Sequence, residues 1–572
     1  MTQGMRRGLT SYGDPDFSLF LRKAFIKAMG LSDDALSRPV VGIANTFSDY
    51  NACHGNVPKL VEAIKRGVML AGALPMEFPT ISIHESFAHP TSMFLRNLMA
   101  MDTEEMIRAQ PMDAVVLIGG CDKTIPAQMM ACASANVPTV IVPVGPMLVG
   151  NYQGEQLGAC TDCRRLWGEH RGGRLDAQQI ERINERLAPT PGTCMVMGTA
   201  STMACIIEVM GLALPRSATI PATHADRLRS AEASGQFAAA MAVNGSPRPS
   251  ELMTQAAFRN AMIILQAIGG STNALVHLTA AAGRLGIKID LAEFDRLGRE
   301  VPVLVDLKPS GRHYMEHFHW AGGLPRLMRE LEGLLDLDTP TIMGGTLRDY
   351  MNAAEDVPSQ DVIRTRAAPI KDVGSMAVLH GNLALRGAII KQSAASPQLM
   401  VHTGRAVVFE SVQDLTERID DPALDVAADD VLVLRNAGPR GAPGMPEAGY
   451  LPIPRKLGEQ GVKDMVRISD ARMSGTAFGT IVLHITPEAA DGGPLGLVRN
   501  GDRIALDVPR RRIDLLVDEQ ELARRRGEAA ALPATGAPAP DRGYAALFHR
   551  SVLQADEGCD FDFLVPGRSG AP

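Results

Sequence analysis

Residues 114–124 read AVVLIGGCDKT, which is five apolar residues, two glycines and then a cysteine, an aspartate and a lysine. An unbroken apolar run of this length is typical of a strand that is buried on both faces of a parallel sheet. Similar strand candidates stand at 40–44 (VVGIA), 80–83 (TISI) and 139–142 (TVIV), with helix candidates between them. We therefore predict a parallel α/β sheet with its ligand site beyond the carboxyl ends of the strands.

The pattern of residues changes past about Val373, where short apolar runs alternate with Gly, Pro and Asp. This pattern predicts a second, β-rich domain and favours a barrel. We place the domains at residues 1–365 and 366–572. Residues 532–541 (LPATGAPAPD) read as a linker, and we expect the tail with Phe548, Phe561 and Phe563 to pack back onto the body. The strand candidates of the second domain are 406–409, 431–434, 481–484, 503–506 and 513–517.

Composition excludes several classes of protein. The 572 residues are 45% hydrophobic and 21% charged, which is ordinary for a soluble globular protein. A net charge of −7 without an offsetting basic stretch argues against nucleic acid as a partner. No apolar run is long enough to span a membrane, and the first residues do not read as a signal segment. Eight cysteines do not make a disulfide scaffold, so we expect a reducing, cytoplasmic location.

Three cysteines stand apart because each lies in a polar, glycine-containing loop: Cys53, Cys121 and Cys194. They are too far apart in sequence for a zinc ribbon or a ferredoxin-type run, whose ligands come in close pairs. Three loops of one domain that converge on a single inorganic centre would explain the spacing. The alternative is that they are simply buried small residues, as Cys132 and Cys205 are expected to be. The residues alone leave both interpretations open.

Cys160 and Cys163 form a Cys-x-x-Cys pair that is followed by Arg164. Such a pair is either redox-active or metal-binding, and the neighbouring arginine would help to lower the pKa of a thiol. However, no second pair or matching histidines complete a zinc site. The role of this pair stays open at the level of sequence.

Three carboxylates are candidates for binding a hard cation such as Mg²⁺: Glu85, Asp122 and Glu447. Asp122 also suits a helix start, and Glu447 ends a Gly/Pro-rich loop that has the composition of a simple turn. Lys123 has no free lone pair as an ammonium, so it would ligate a cation only if carbamylated. Ser474 lacks the surroundings of a hydrolase nucleophile, and a serine in a turn is its plain interpretation.

Several separated motifs in order along nearly the whole chain resemble one family of dehydratases. That family contains dihydroxy-acid dehydratase, 6-phosphogluconate dehydratase and the sugar-acid dehydratases. The resemblance implies an N-terminal α/β domain and a C-terminal β-barrel like the swivelling domain of aconitase, with the active site between them. The motifs are 53–56 (CHGN), 120–124 (GCDKT), 194–203 (CMVMGTASTM), 269–273 (GGSTN), 381–384 (GNLA) and 469–475 (SDARMSG).

The same resemblance assigns roles to residues. It makes Ser474 the catalytic base, and it implies a cluster of the 2Fe–2S type rather than the 4Fe–4S type, together with Mg²⁺. The cluster ligands that it implies are Cys53, Cys121 and Cys194. The magnesium ligands that it implies are Glu85, Asp122, Glu447 and a carbamylated Lys123.

Within the family, three stretches resemble the sugar-acid branch: 470–477 (DARMSGTA), 84–86 (HES) and 558–564 (GCDFDFL). We therefore expect a small pentonate or hexonate substrate and a homodimer or homotetramer. One alternative is dihydroxy-acid dehydratase of branched-chain amino-acid synthesis. An alternative of a different class is an iron–sulfur redox sensor, although such a sensor has no need of the three carboxylates.

Overall fold

A parallel sheet of four strands organises the N-terminal part of the chain. The computed structural model describes residues 3–9, 12–531 and 540–567. Every neighbouring pair in this sheet is parallel, and the spatial order is second, first, third, fourth. The third strand, which contains the run at 114–118, is buried at each of its positions. The strands are β1 (Val40–Asn45), β2 (Leu74–Pro79), β3 (Ala114–Gly119) and β4 (Thr139–Pro143).

Helices surround this sheet, and a short antiparallel hairpin, β5 (Gly150–Tyr152) and β6 (Glu155–Leu157), follows it. Two of the helices, α3 (Val57–Leu70) and α9 (Ala225–Asn244), approach closely. A Cβ atom at Gly67 of the first or at Gly235 of the second would collide with the backbone of the other helix. The helices are α1 (Pro15–Lys27), α2 (Asp33–Leu36), α3 (Val57–Leu70), α4 (Ser92–Ala109), α5 (Thr124–Ala135), α6 (Thr161–Arg171), α7 (Ala177–Leu187), α8 (Thr199–Val209), α9 (Ala225–Asn244), α10 (Pro249–Leu252), α11 (Gln255–Ala267), α12 (Asn273–Gly283), α13 (Leu291–Glu300), α14 (Met315–Trp320), α15 (Gly323–Glu330), α16 (Leu347–Asn352), α17 (Val412–Arg418), α18 (Arg455–Glu459), α19 (Glu519–Ala531) and α20 (Gly543–Ser551).

The C-terminal part forms a closed barrel of eight strands. A parallel pair, β9 with β10, closes the ring, and side chains such as Val433, Ile468 and Ile504 belong to its apolar core. The order around the barrel is β10-β11-β12-β8-β7-β14-β13-β9. The strands are β7 (Ala377–Gly381), β8 (Ala384–Ile390), β9 (Val401–Phe409), β10 (Val431–Leu434), β11 (Val466–Ser469), β12 (Ile481–Thr486), β13 (Arg503–Asp507) and β14 (Arg512–Leu515).

The C-terminal tail returns to the N-terminal domain, as the sequence predicted. Phe548 and Phe561 are buried against residues of α4 and α12. Asp560 forms a fully buried ion pair with Arg284, which ends α12. Phe563 differs from the expectation, because 43% of it remains exposed.

The predicted fold class is confirmed, but some elements differ. Residues 80–83 are not a strand; the strand is β2, just before them, and they continue past its carboxyl end. The sequence also failed to predict β7, β8 and β11 as strands, because their short runs contain Gly and Arg that break the apolar pattern. Most of the linker, residues 532–539, lies outside the described residues. Within the part of the chain that is described, no helix is both long and apolar enough to cross a membrane.

Candidate active site

One cavity of about 560 Å³ collects the side chains that the sequence singled out. Its walls come from loops after the sheet strands, from α6, α7 and the segment that leads into α8, and from loops of the barrel. A hydrogen bond of 3.0 Å from Thr161 Oγ1 to the carbonyl of Thr476 joins the two sides. Lys123 does not line the cavity, but its ammonium is buried directly behind two of the lining carboxylates. The predicted residues in the lining are Cys53, Glu85, Cys121, Asp122, Cys194, Glu447 and Ser474.

The topology explains why distant residues meet. Cys53, Glu85 and Cys121 follow β1, β2 and β3, and these parallel strands end at the same edge of the sheet. Glu447 and Ser474 follow β10 and β11, which are parallel neighbours in the barrel. Each domain therefore presents the carboxyl ends of adjacent parallel strands to the shared cavity, where the loops carry polar side chains.

A buried histidine fixes two of the cysteine loops to each other. His54 Nδ1 donates to the carbonyl of Thr46 (2.8 Å), and its Nε2 accepts from the backbone N–H of Cys121 (3.0 Å). The contact at Nε2 requires the neutral ring with its proton on Nδ1. Burial lowers the pKa of His54 to about 4, so the ring stays neutral at physiological pH. The loops of Cys53 and Cys121 are thereby held in a fixed relation.

The sulfur atoms lie close together. The Cys53 and Cys121 sulfurs and a ring nitrogen of His84 all lie within 4.8 Å of one another. The Cys194 sulfur lies 3.0 Å from that of Cys160. The neighbouring thiol of Cys121, together with burial, raises the pKa of Cys53 well above its ordinary value. Burial raises the pKa of Cys132 and Cys205 in the same way, so the proximity of the sulfur atoms, not this shift, distinguishes the site.

The three predicted carboxylates form a second group, with oxygen atoms of Glu85, Asp122 and Glu447 within 4.8 Å of one another. Two buried cations contact them. Lys123 Nζ lies 3.1 Å from Glu85 and also contacts Asp122. Arg472 lies 3.2 Å from Glu85 and also contacts Glu447. The group is therefore a concentrated, partly neutralised cluster of oxygen donors.

Glu85 and Glu447 differ in the direction in which their surroundings shift the pKa. Burial alone would raise the pKa of Glu85, but Lys123 and Arg472 outweigh it and hold the pKa well below its usual range. Burial and the charge of Glu85 raise the pKa of Glu447 instead. Ser92 also donates a hydrogen bond to Glu85. The arrangement thus keeps Glu85 ionised and favours the ionised form of Glu447 less.

Ser474 lies in the loop between β11 and β12, where its hydroxyl is 2.8 Å from that of Thr476. Asn273 donates to the carbonyl of Met473 at 3.1 Å. Gly475 permits a close approach to Ser271, since a Cβ atom there would lie 2.5 Å from the Ser271 hydroxyl. The GGSTN stretch at 269–273 thus contacts the serine loop, and its last residue, Asn273, begins α12.

Sequence reasoning missed two residues that the structure places at the site. Arg472 joins two of the carboxylates, and its signal was its place two residues before Ser474 in the quoted motif. Cys160 contacts Cys194, whereas the role of the Cys160–Cys163 pair had stayed open at the level of sequence. The spacing of these residues along the chain does not predict either contact. Each contact joins loops that are distant in sequence and that meet only when the chain packs.

Comparison with known proteins matches the chain to a family in two parts. Residues 38–350 match the sequence model described as "Dihydroxy-acid/6-phosphogluconate dehydratase N-terminal". Residues 361–559 match the model described as "Dihydroxy-acid/6-phosphogluconate dehydratase C-terminal".

Curated relatives match along almost their whole length. An L-arabonate dehydratase from Azospirillum brasilense is 47% identical over 576 residues, which is 100% of this chain and 98% of the relative. An L-arabinonate dehydratase from Rhizobium leguminosarum bv. trifolii is 44% identical, over 98% of this chain and 96% of the relative. A 6-deoxy-6-sulfo-D-gluconate dehydratase from Pseudomonas putida is 43% identical, over 96% and 95% respectively.

Proposed function

The chain belongs to the dihydroxy-acid/6-phosphogluconate dehydratase family and is therefore a hydro-lyase, and from this premise we propose that it dehydrates a sugar acid. The substrate is a pentonate or hexonate, and the product is its 2-keto-3-deoxy acid. One observation carries the proposal: a group of thiols and a group of carboxylates share a single cavity with Ser474. Relatives that are named as dehydratases of arabonate, arabinonate and sulfogluconate support the substrate class.

Dehydratases of this family use an iron–sulfur cluster, and the thiol group of this chain fits one. Cys53, Cys121 and Cys194 would hold it, because their loops converge on one cavity and His54 fixes two of them. We propose the 2Fe–2S type. When bound, an iron without a full set of protein ligands supplies a Lewis acid for the hydroxyl that leaves.

The carboxylate group fits Mg²⁺, which prefers oxygen ligands. With Lys123 as an ammonium and Arg472 as a guanidinium, Glu85, Asp122 and Glu447 keep one net negative charge. Carbamylation of Lys123 would replace its ammonium by an anionic carbamate, which binds cations through oxygen. The net charge of the group would then be −3. That charge suits a divalent cation, and Lys123 lies against two of the carboxylates.

We assign the proton transfer to Ser474. In a 2,3-dihydroxy acid, the proton on the carbon beside the carboxylate must leave before or together with the hydroxyl on the next carbon. Ser474 takes that proton as its alkoxide, and Mg²⁺ bound at the carboxylate group would lower the pKa of the hydroxyl for this role. Thr476 orients the serine oxygen by the hydrogen bond of 2.8 Å. The enol that results then takes a proton at C3 and becomes the ketone.

Two alternatives remain as competitors. A preference for 2,3-dihydroxyisovalerate would make the protein a dihydroxy-acid dehydratase of branched-chain amino-acid synthesis. A redox sensor would use the cluster without catalysing a reaction, but a sensor has no use for three carboxylates beside the cluster. We also keep a homodimer or homotetramer and a cytoplasmic location as part of the proposal.

Anaerobic purification followed by a substrate panel tests the proposal. The panel contains pentonates, hexonates and 2,3-dihydroxyisovalerate, and the measurement is 2-keto acid formation with and without Mg²⁺. We expect the highest kcat/KM for a sugar acid and loss of activity on chelation. A higher kcat/KM for 2,3-dihydroxyisovalerate would assign the protein to amino-acid synthesis. Iron without turnover on any substrate would favour the sensor.

A further inference from the structure

Arg164 lines the cavity, but the chemistry proposed above does not use it. Among the described residues of the lining, this side chain, which lies on α6, is the one lysine or arginine. The two cations of the carboxylate group, Lys123 and Arg472, each contact two carboxylates. Arg164, in contrast, forms no ion pair within the described part of the chain. A guanidinium without a counter-charge at the wall of a binding cavity needs a physical explanation.

The guanidinium of Arg164 has an unused hydrogen-bond donor. Its Nε is buried and has no hydrogen-bond partner among the described residues. The next residue, Arg165, contacts three carboxylates instead. The guanidinium carbon of Arg164 lies 5.2 Å from the centre of the Tyr450 ring, and this cation–π contact supplies no oxygen acceptor for its N–H groups. A ligand oxygen that accepts from Arg164 would relieve the cost of the buried, unpaired donor.

The wall that carries Arg164 comes from α6 and α7 and is mostly apolar. Its charged and amide side chains besides Arg164 are Glu181 and Asn184, which are exposed, whereas the Nε of Arg164 is buried. Binding pockets are lined mainly by apolar side chains, and the few polar groups among them fix the orientation and the specificity of the ligand. Arg164 has the properties of such a group. The apolar members of the wall are Leu166, Trp167, Ile180, Ile183 and Leu187.

The donors that the proposed reaction uses address the first three carbons of the substrate. The carboxylate group, the three proposed cluster ligands and Ser474 lie on loops outside α6 and α7. A sugar acid and 2,3-dihydroxyisovalerate share these three carbons and the oxygen atoms on them. Beyond C3 the sugar acid carries further hydroxyl groups, whereas the branched acid has methyl groups and no further oxygen. The wall of α6 and α7 is therefore the part of the cavity that is left to distinguish the two acids.

We propose that Arg164 determines substrate specificity by donating hydrogen bonds to hydroxyl groups of the sugar acid beyond C3. This inference rests on the proposed function, because it names the part of the sugar acid that the chain recognises. The planar guanidinium presents its N–H groups as a fork, which suits two neighbouring oxygen atoms of a polyol chain. The branched acid leaves the buried Nε without an acceptor. A site built to bind a substrate hydroxyl discriminates strongly against an analogue that lacks it.

Arg164→Gln and Arg164→Lys in the full chain test this. Each variant is purified without oxygen, and its iron content is compared with that of the native protein. We expect kcat/KM for a pentonate to fall roughly 10- to 100-fold in Arg164→Gln, the usual loss for a hydrogen bond to a charged group. The kcat/KM for 2,3-dihydroxyisovalerate should hardly change, and the iron content should stay the same. Arg164→Lys keeps the charge without the fork, so its loss should be smaller.

Binding without turnover gives a second measurement. In the Ser474→Ala background, isothermal titration calorimetry measures the Kd of the pentonate and of 2,3-dihydroxyisovalerate. Adding Arg164→Gln should raise the Kd of the pentonate by a similar factor and leave that of the branched acid nearly constant. Arg182→Gln is the matched control, because Arg182 lies on α7, is exposed and does not line the cavity. It removes the same charge and should leave both Kd values unchanged.

An equal loss for both acids would overturn the inference, because Arg164 would then act on the carboxylate end that they share. No loss for either acid would overturn it as well. So would loss of iron from Arg164→Gln, since Arg164 lies close enough to the thiols of Cys160 and Cys163 to act on them instead. Failure of the proposed function looks different. In that case the native protein itself would dehydrate no sugar acid, whatever residue stands at position 164.

Discussion

The hydroxyl of Ser474 is the single group on which the proposed proton transfer depends. Ser474→Ala should keep the fold and the iron content, because the side chain is small and lies in a loop. It should lower kcat by a factor on the order of 10²–10⁴, the usual contribution of a positioned base. Steady-state kinetics with a pentonate measures this loss. Thr476→Val, which removes only the hydrogen-bond partner, should cost less. Near-normal kcat in Ser474→Ala would direct attention to His84 instead.

The three loop cysteines should each be required for the cluster. Replacement of Cys53, Cys121 or Cys194 by serine removes one of the proposed anchors, so iron content and visible absorbance should fall after anaerobic purification. Cys205→Ser provides the control, because Cys205 is fully buried in the apolar core. Full iron and full activity in any of the three variants would refute the assignment for that residue.

Residue-level reasoning from sequence succeeded where chemistry directly follows a strand. Cys121 and Asp122 come two glycines after the apolar run that forms β3, so the sequence itself predicts their place at the edge of the sheet. Arg472 and Cys160 were not predicted as site residues. Their partners, Glu85 and Cys194, are far away in sequence, and only packing of whole loops brings them into contact.

At the scale of single elements, the residue that directly follows strand β8 is a buried lysine, Lys391, which makes stability depend on pH. Among the described residues, Lys391 Nζ has no hydrogen-bond partner. Burial lowers the pKa of Lys391 to about 7, whereas an unfolded lysine titrates near 10.4. Between these values the unfolded chain binds the extra proton, so stability rises with pH by up to about 1.4 kcal/mol per unit.

Lys391→Met removes this dependence. Thermal unfolding of the native protein and the variant, compared at pH 7 and pH 10, isolates the contribution of the one group. We expect the variant to be more stable than the native protein by a margin that is largest at pH 7 and shrinks toward pH 10. A constant difference in Tm across this range would show that Lys391 is charged in the folded protein.

The C-terminal tail is the element that fastens the chain end to α4 and α12. Phe561 is fully buried among Tyr544, Phe548 and their neighbours. Phe561→Ala should therefore destabilise the protein by about 3–5 kcal/mol, the usual cost of removing a buried phenylalanine. Phe563→Ala is the matched control, since that ring is 43% exposed and should cost little. Equal Tm values for the two variants would contradict the packing described here.

Sequence predicted elements well where periodicity was strong and poorly where it was interrupted. The runs that form β3 and β10 are continuous and apolar, and both were predicted. The run at 80–83 has the composition of a strand, yet Asn45, the last residue of β1, pairs with Pro79, so pairing with β1 ends one residue before that run. Strand β8 pairs with β7 and β12, but its Arg386 and Gly387 interrupt the apolar pattern, so the sequence did not predict it as a strand.

The whole molecule brings two kinds of donor to one cavity. The N-terminal domain supplies the thiol loops and two carboxylates, and the barrel domain supplies Glu447, Arg472 and Ser474. The fold class was predictable from local patterns, because each domain has its own periodicity. The meeting of the two domains at one cavity was implied only by resemblance to a family, since no local pattern encodes how the barrel docks.

In the proposed reaction this cavity removes water across C2 and C3 of a sugar acid. Proton NMR of a pentonate that is incubated with the anaerobically purified enzyme in heavy water tests this reaction most directly. We predict a 2-keto-3-deoxy acid that carries one solvent deuterium at C3, formed by the native protein and not at a comparable rate by Ser474→Ala. Turnover of 2,3-dihydroxyisovalerate in preference to every sugar acid, or unlabelled C3 in the product, would contradict it.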